Sequence, residues 1–143
     1  MKNGRTRVVV TGMGTINPLG KDVEEYWDGL IEGRSAARPA EGFATEGLST
    51  KFACEVHNFD PQDFMDRKVA QRMARFSQLA VAASSMALAD SGLDLAKEDS
   101  FRVGVDMGTG IGGFAEMTRG AGDYAVKKRL HPLYVPMIIP NMA

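Results

Sequence analysis

Two short runs rich in β-branched residues, each ending at a glycine cluster, constrain the fold of this chain most strongly. Residues 5–11 contain three consecutive valines and stop at Gly12, and residues 101–107 run into the glycines of residues 108–113. Runs of this length and composition favour buried strands. Because stretches with helical spacing lie between and after them, the sequence predicts an α/β fold.

The first predicted helix follows residue 22. Asp22 can cap its N-terminus, Glu25 stands three residues later as in a capping box, and Gly33 can end the helix. One apolar stripe at helical spacing runs along it and comprises Val23, Trp27, Leu30 and Ile31.

Two further helices are predicted, from about Met73 to Ala89 and from Phe114 to Lys128. The first contains a run of almost entirely small residues at 80–87, which would let other backbones approach closely. It ends with Gly92 at the position typical of a Schellman motif. Between the helices we expect a loop over residues 34–51 and an edge strand over residues 52–56.

The composition excludes several classes of protein. A net charge of -1 argues against general electrostatic attraction to nucleic acid or an anionic membrane. No apolar run approaches the roughly 20 residues that span a bilayer. The single cysteine, Cys54, rules out an internal disulfide framework and indicates a reduced, cytoplasmic protein. Its apolar neighbours predict a small core residue, not a nucleophile, and two histidines are too few to indicate a metal site.

Both glycine clusters invite a dinucleotide-binding interpretation. After Gly12 and Gly14, however, Pro18 delays the helix whose N-terminal amides would hold a pyrophosphate. Gly108, Gly110 and Gly113 have the G-x-G-x-x-G spacing, but no acidic residue ends a second strand about 20 residues later. We therefore favour a structural role for these glycines, namely tight turns and close approach of backbones.

A basic cluster surrounds the start of the second predicted helix and comprises Arg67, Lys68, Arg72 and Arg75. Lys68, Arg72 and Arg75 are spaced at i, i+4 and i+7, which places them on one side of a continuous helix. Such a cluster is usually a solvated face. In a chain of net charge -1 it would also suit an acidic protein partner.

Taken in order, the motifs resemble the opening of elongating, type II β-ketoacyl-[acyl-carrier-protein] synthases. Each motif is weak alone, but together they occur in the family's order and at similar spacing over essentially all 143 residues. The matching segments are residues 7–14 with 18–20, 90–93, 108–113, 132–136 and 141–142.

The resemblance implies a thiolase-like fold built of βαβαβ units, with a mixed sheet covered by helices. It identifies residues 1–143 as a ketoacyl synthase N-terminal domain that is incomplete at its C-terminus. Family members are homodimers that extend fatty acids by a decarboxylating Claisen condensation with malonyl-[acyl-carrier-protein]. Their cysteine nucleophile and two histidines lie beyond this segment, so no catalytic residue is transferred and the chain alone is expected to be inactive. No metal or organic cofactor is implied.

Four residues match functional positions of the family. Ile111 matches the residue that lines the acyl tunnel and limits chain length. Tyr134 matches an aromatic position, often phenylalanine, that reaches the pocket of the neighbouring subunit. Lys68 and Arg72 match cations that meet the acidic acyl-carrier protein, although Gln71 stands where another cation is common.

Three alternatives remain open from the sequence. The first is a non-catalytic partner that resembles a chain-length factor, in which the cysteine is replaced. The second is a dinucleotide-binding module that uses residues 108–113. The third is a ketosynthase domain from a modular polyketide enzyme, which is disfavoured because such domains belong to far longer chains.

Overall fold

The computed structural model describes residues 6–142. The chain forms two compact units. The first consists of the described part of residues 1–56 together with residues 83–97, and the second of residues 57–82 with the described part of residues 98–143.

Five helices and two short strands occur among the described residues. In chain order they are α1 (Val23–Ile31), β1 (Arg38–Pro39), β2 (Phe52–Ala53), α2 (Arg67–Ala70), α3 (Arg75–Ser91), α4 (Phe114–Lys127) and α5 (Tyr134–Ile138). Four 3-10 turns lie at Pro61–Asp63, Leu95–Lys97, Ser100–Arg102 and Ile139–Asn141.

Helix α1 confirms the capping residues expected from the sequence. The Asp22 carboxylate accepts a hydrogen bond from the Glu25 amide at 2.8 Å. The Glu25 carboxylate accepts one from the Lys21 amide at 2.9 Å, one residue before the cap. Gly33 follows the helix with φ of +66°, a conformation that L side chains rarely adopt. The apolar stripe remains accessible, since Trp27 is 60% exposed.

The strands β1 and β2 form an antiparallel pair with Arg38 opposite Ala53. The edge strand predicted at residues 52–56 is confirmed for its first two residues, while the loop predicted at residues 34–51 is wrong where β1 forms. Pro39 has no amide hydrogen to extend the ladder. Beyond it, the Glu55 carboxylate holds the chain by accepting hydrogen bonds from the amides of Glu41 and Gly42, at 3.0 and 2.9 Å.

The strands predicted at residues 5–11 and 101–107 are wrong as far as the structure describes these segments. Residue 5 lies outside the described residues, residues 6–11 have no regular secondary structure, and Ser100–Arg102 is a 3-10 turn. Val8 and Val105 are 91% and 85% exposed. A strand requires a neighbour for its backbone hydrogen bonds, and neither segment is paired in a ladder within residues 6–142. The β1–β2 pair is therefore the only sheet that forms within residues 6–142.

Helix α3 begins and ends two residues later than predicted, and Gly92 follows it with φ of +64°. Its small-residue half does allow a close backbone approach. A Cβ atom on Gly12 would lie 2.5 Å from the Ser91 amide nitrogen, and one on Gly14 would lie 2.7 Å from the Ala87 nitrogen. The first glycine cluster thus serves packing against α3, which agrees with the structural role favoured from the sequence.

Buried side chains are few and small. Among the described residues, the buried hydrophobic ones are Ala70, Ala74 and Ala82, and no large side chain is fully buried. Many large apolar side chains are instead exposed in both units, including Trp27, Phe52, Phe101 and Ile111. The same residues contain no helix that combines the length and apolar character needed to cross a bilayer.

We predict that the isolated chain associates, because its exposed apolar side chains favour contacts between molecules. Sedimentation velocity at micromolar concentration should show a dimer, a higher oligomer or aggregate. A compact monomer that unfolds cooperatively at the same concentration would contradict this prediction.

Candidate functional site

Asn141 is the only buried polar residue among those described, and it is 4% exposed. Its Oδ1 atom accepts hydrogen bonds from the Ala74 amide at 2.6 Å and from the Ser77 hydroxyl at 3.3 Å. Its Nδ2 atom donates to the carbonyl oxygens of Arg72 at 3.1 Å and Met137 at 2.8 Å. The side chain therefore joins the segment between α2 and α3 to helix α5, with its amide fully hydrogen-bonded.

The segment between α2 and α3 carries both predicted docking cations. The Asp66 carboxylate caps α2 by accepting a hydrogen bond from the Lys68 amide at 2.8 Å. Lys68 and Arg72 line one groove of about 740 Å³, which we call the basic-edged groove. The other residues that line it are apolar: Val69, Met73, Leu133, Pro136, Met137 and Pro140.

The basic cluster does not lie along one helix, so the predicted spacing of Lys68, Arg72 and Arg75 on a common helical face is wrong. Helix α2 ends at Ala70 and α3 begins at Arg75. The Ala74 amide bonds to Asn141 instead of continuing the helix. Arg75 turns toward Phe59, where its guanidinium lies 4.5 Å from the ring centroid and donates to the Phe59 carbonyl. Lys68 and Arg72 remain together, while Arg75 is held by this aromatic contact.

Tyr134, the predicted pocket residue, packs its ring onto Gly120. A Cβ atom built on Gly120 would overlap the ring carbons and the hydroxyl of Tyr134. The hydroxyl donates to the carbonyl oxygens of Met117 and Glu116, at 3.1 and 3.3 Å. These two acceptors satisfy the hydroxyl group, which explains how a tyrosine can occupy this position.

Tyr134 and Gly120 also line a second opening of about 450 Å³, which we call the tyrosine cavity. Arg72 lines both the tyrosine cavity and the basic-edged groove. The tyrosine cavity has charged residues of both signs in its wall, namely Arg119, Glu116 and Asp123, together with His131. The structure thus brings Tyr134, Lys68 and Arg72 to adjoining surfaces of the second unit.

Ile111 lies apart from both openings, in the glycine turn, and is 68% exposed. Gly112 has φ of +68°, and the Gly113 amide donates to the Asn141 carbonyl at 2.7 Å. The Gly113 amide at the start of α4 is therefore already occupied, and among the described residues no strand lies between Ala53 and the turn. These features disfavour dinucleotide binding at residues 108–113.

Cys54 is exposed, so its prediction as a core residue is wrong. The β1–β2 pair ends at Ala53, the residue before Cys54. Across residues 6–142, no group of three or more histidine, cysteine, aspartate or glutamate side chains is placed to hold a metal ion.

Sequence reasoning did not single out Asn141 or Gly120 as site residues. Asn141 had a weak signal, because it forms part of a matched motif near the end of the chain. Gly120 had a clearer one, since a glycine inside a helix costs roughly 0.5–1 kcal/mol relative to alanine and calls for a packing reason. The ring of Tyr134 is that reason.

Residues 5–143 match the family model described as "Beta-ketoacyl synthase, N-terminal domain". The chain belongs to this family. Among curated relatives, the "3-oxoacyl-[acyl-carrier-protein] synthase 2" of Vibrio harveyi is 41% identical over 140 residues, covering 96% of this chain and 34% of its own. The protein of the same name from Synechocystis sp. is 40% identical, covering 97% of this chain and 34% of its own. The chain therefore spans about one third of the length of these relatives.

Solved structures give the same assignment. "The ishigamide ketosynthase/chain length factor" superposes with a TM-score of 0.77 at 34% identity, covering 92% of this chain and 34% of that one. A β-ketoacyl synthase from Burkholderia phymatum gives a TM-score of 0.70 at 33% identity, with 87% and 31% coverage. The predicted family and the partial thiolase-like α/β fold are confirmed.

We predict that Gly120→Ala destabilises the chain only while Tyr134 is present. The new methyl group must displace the ring, and such overpacking typically costs about 1–3 kcal/mol. In a Tyr134→Ala background the same change should instead stabilise α4 by about 0.5–1 kcal/mol, through helix propensity.

Thermal unfolding of the four proteins at one concentration checks this double-mutant cycle. Gly122→Ala is the matched control, because a Cβ atom there meets nothing within 4 Å. Equal effects of Gly120→Ala in both backgrounds would show that the ring does not occupy the Gly120 surface.

Proposed function

We propose that this chain is the N-terminal part of a 3-oxoacyl-[acyl-carrier-protein] synthase that elongates fatty acids. The observation that carries the proposal is the identity of 40–41% over nearly the whole chain to bacterial enzymes of that name. The reaction is a decarboxylating Claisen condensation of a cysteine-bound acyl group with malonyl-[acyl-carrier-protein]. Covalent catalysis divides this condensation into two more accessible steps.

We place the nucleophilic cysteine and the two histidines of this enzyme beyond residue 143, and we assign no catalytic role to Cys54. Cys54 is exposed, follows a two-residue strand, and lies outside the matched motifs. The role of residues 1–143 is to shape the acyl site and the docking surface. No metal or cofactor bound to this chain is part of the proposal.

Ile111 and Tyr134 are the proposed substrate-binding residues. Ile111 lies in a turn that is held by two hydrogen bonds, from the Gly112 amide to the Thr109 hydroxyl at 3.2 Å and from the Gly113 amide to the Asn141 backbone carbonyl at 2.7 Å. Tyr134 is fixed by Gly120 and by two carbonyl acceptors. In the proposed homodimer, Ile111 limits the acyl chain within one subunit and the aromatic ring contributes to the pocket of the other.

Lys68 and Arg72 are the proposed docking residues for the acidic acyl-carrier protein. They line the basic-edged groove together, whereas Arg75 bonds to Phe59. A related structure, 28% identical with a TM-score of 0.71, is that of "AntDE:AntF (apo): type II PKS acyl-carrier protein in complex with its ketosynthase bound to the hexaketide". That complex supports a carrier-protein partner for this chain. A cytoplasmic location, without nucleic-acid or membrane partners, completes the proposal.

A chain-length-factor-like partner is the second candidate, because one related structure is that of a "ketosynthase/chain length factor". The two candidates differ in whether a cysteine occupies the nucleophile position. Sequencing about 30 codons of the encoding DNA past codon 143 distinguishes them. A cysteine in a Thr-Ala-Cys-type context supports the enzyme, and its replacement supports the partner subunit.

We predict that the purified 143-residue chain forms no carbon–carbon bond from acyl- and malonyl-[acyl-carrier-protein]. A nucleophile needs a base within hydrogen-bond reach, and the proposed cysteine and histidines are not in this chain. The assay compares the chain with its Cys54→Ala variant. Turnover that Cys54→Ala abolishes would refute the placement of the nucleophile beyond residue 143.

We also predict that Ile111→Phe in the complete enzyme excludes long acyl chains while short ones are still accepted. Extra volume in a packed tunnel costs about 1–3 kcal/mol, which corresponds to roughly 5- to 150-fold discrimination. The measurement is the rate of cysteine acylation against acyl length. Ile31→Phe on the exposed face of α1 is the matched control.

An equal loss at every acyl length would indicate general damage to the fold. An unchanged profile would show that Ile111 does not line the tunnel.

A further inference from the structure

Asn141 contacts each of the segments that carry the proposed functional residues. We propose that it is a positioning residue, which holds the docking cations at a fixed distance from the residues that limit the acyl chain. This inference rests on the proposed function for the identity of the two sites. The contacts that connect them are observed independently of that function.

On the docking side, Asn141 fixes the backbone around Arg72. Its Nδ2 atom donates to the Arg72 carbonyl at 3.1 Å, and its Oδ1 atom accepts from the Ala74 amide at 2.6 Å. Both bonds go to residues within the break between α2 and α3, which spans residues 71–74. They set where the Arg72 side chain leaves the backbone beside the basic-edged groove.

On the acyl side, Asn141 holds the glycine turn and helix α5. The backbone carbonyl of Asn141 accepts a hydrogen bond from the Gly113 amide at 2.7 Å, and Gly113 lies two residues after Ile111. The Asn141 Nδ2 atom donates to the Met137 carbonyl at 2.8 Å, one helical turn after Tyr134. A displacement of Asn141 would therefore shift both proposed substrate-binding residues, Ile111 and Tyr134, relative to Arg72.

Only an amide side chain satisfies this arrangement. The site requires an acceptor for the Ala74 amide and two donated hydrogens for two separate carbonyl oxygens. An aspartate of the same shape keeps the acceptor and loses the donors when ionised. Because the residue is 4% exposed, bulk water cannot readily replace the lost bonds.

The test is Asn141→Asp in the complete enzyme, with Ser77→Ala as the matched control. Ser77→Ala removes one 3.3 Å hydrogen bond to the same side chain and leaves both donated bonds intact. For Asn141→Asp we expect KM for the acyl-carrier-protein substrate to rise about tenfold. We also expect the ratio of kcat/KM between long and short acyl chains to change by at least about fivefold.

The two effects should appear together, and Ser77→Ala should change neither by more than about twofold. A loss of kcat that is uniform across acyl lengths, with KM unchanged, would assign Asn141 a purely structural role and overturn the proposal. Wild-type enzyme that makes no condensation product would instead overturn the proposed function.

A measurement on the wild-type enzyme covers the case in which Asn141→Asp does not fold. Carrier protein added at saturation should slow amide hydrogen exchange at Ala74 and also at Gly113, by at least about threefold, because one residue holds both segments. Asn141 accepts from the Ala74 amide through its side chain and from the Gly113 amide through its backbone carbonyl. Protection confined to residues 68–72, with Gly113 unchanged, would show that the two sites are not linked and would overturn the proposal. Because it records exchange, not turnover, this result is independent of condensing activity.

Discussion

The amide of Asn141 is the interaction on which the organisation of the second unit depends. Among the described residues no large side chain is fully buried, so hydrophobic packing alone does little to fix the orientation of the loops of this unit. The buried amide of Asn141 makes four side-chain hydrogen bonds, and these fix the orientation of the loops because each bond restricts both a distance and an angle. It interrupts the helix between Ala70 and Arg75 and leaves Lys68 and Arg72 beside one groove.

Glycine and alanine determine how closely the segments approach. Gly12 and Gly14 pass against the backbone of α3 with no space for a Cβ atom, and Gly120 provides the surface on which the Tyr134 ring lies. The three buried apolar residues in the described part of the chain are all alanines. Close backbone packing of this kind leaves few large side chains inside each unit, so the large apolar residues remain on accessible surfaces.

Those accessible apolar residues fit the relation between this chain and its relatives. The chain spans about one third of their length, and the two valine-rich segments join no sheet among the described residues. β-branched residues favour a strand conformation, but a strand forms a sheet only when a second strand supplies partners for its backbone hydrogen bonds. The accessible residues are thus consistent with surfaces that other parts of a ketoacyl synthase, or a second subunit, would cover.

The sequence by itself determined the family, the positions of α1, α3 and α4, and the caps at Asp22, Gly33 and Gly92. These features depend on local spacing, on side-chain capping and on glycine conformations, all of which operate over a few residues. It also indicated four candidate site residues, namely Ile111, Tyr134, Lys68 and Arg72, whose functional roles remain predictions.

Only the tertiary structure decided which of these residues lie together. It separated Arg75 from the basic cluster through Phe59, placed the Tyr134 ring on Gly120, and identified Asn141 as a shared hydrogen-bonding partner. It also showed that the two valine-rich segments join no sheet within the described residues. Each of these results depends on contacts between residues far apart in the chain, where periodicity and propensity carry no information about which donor meets which acceptor.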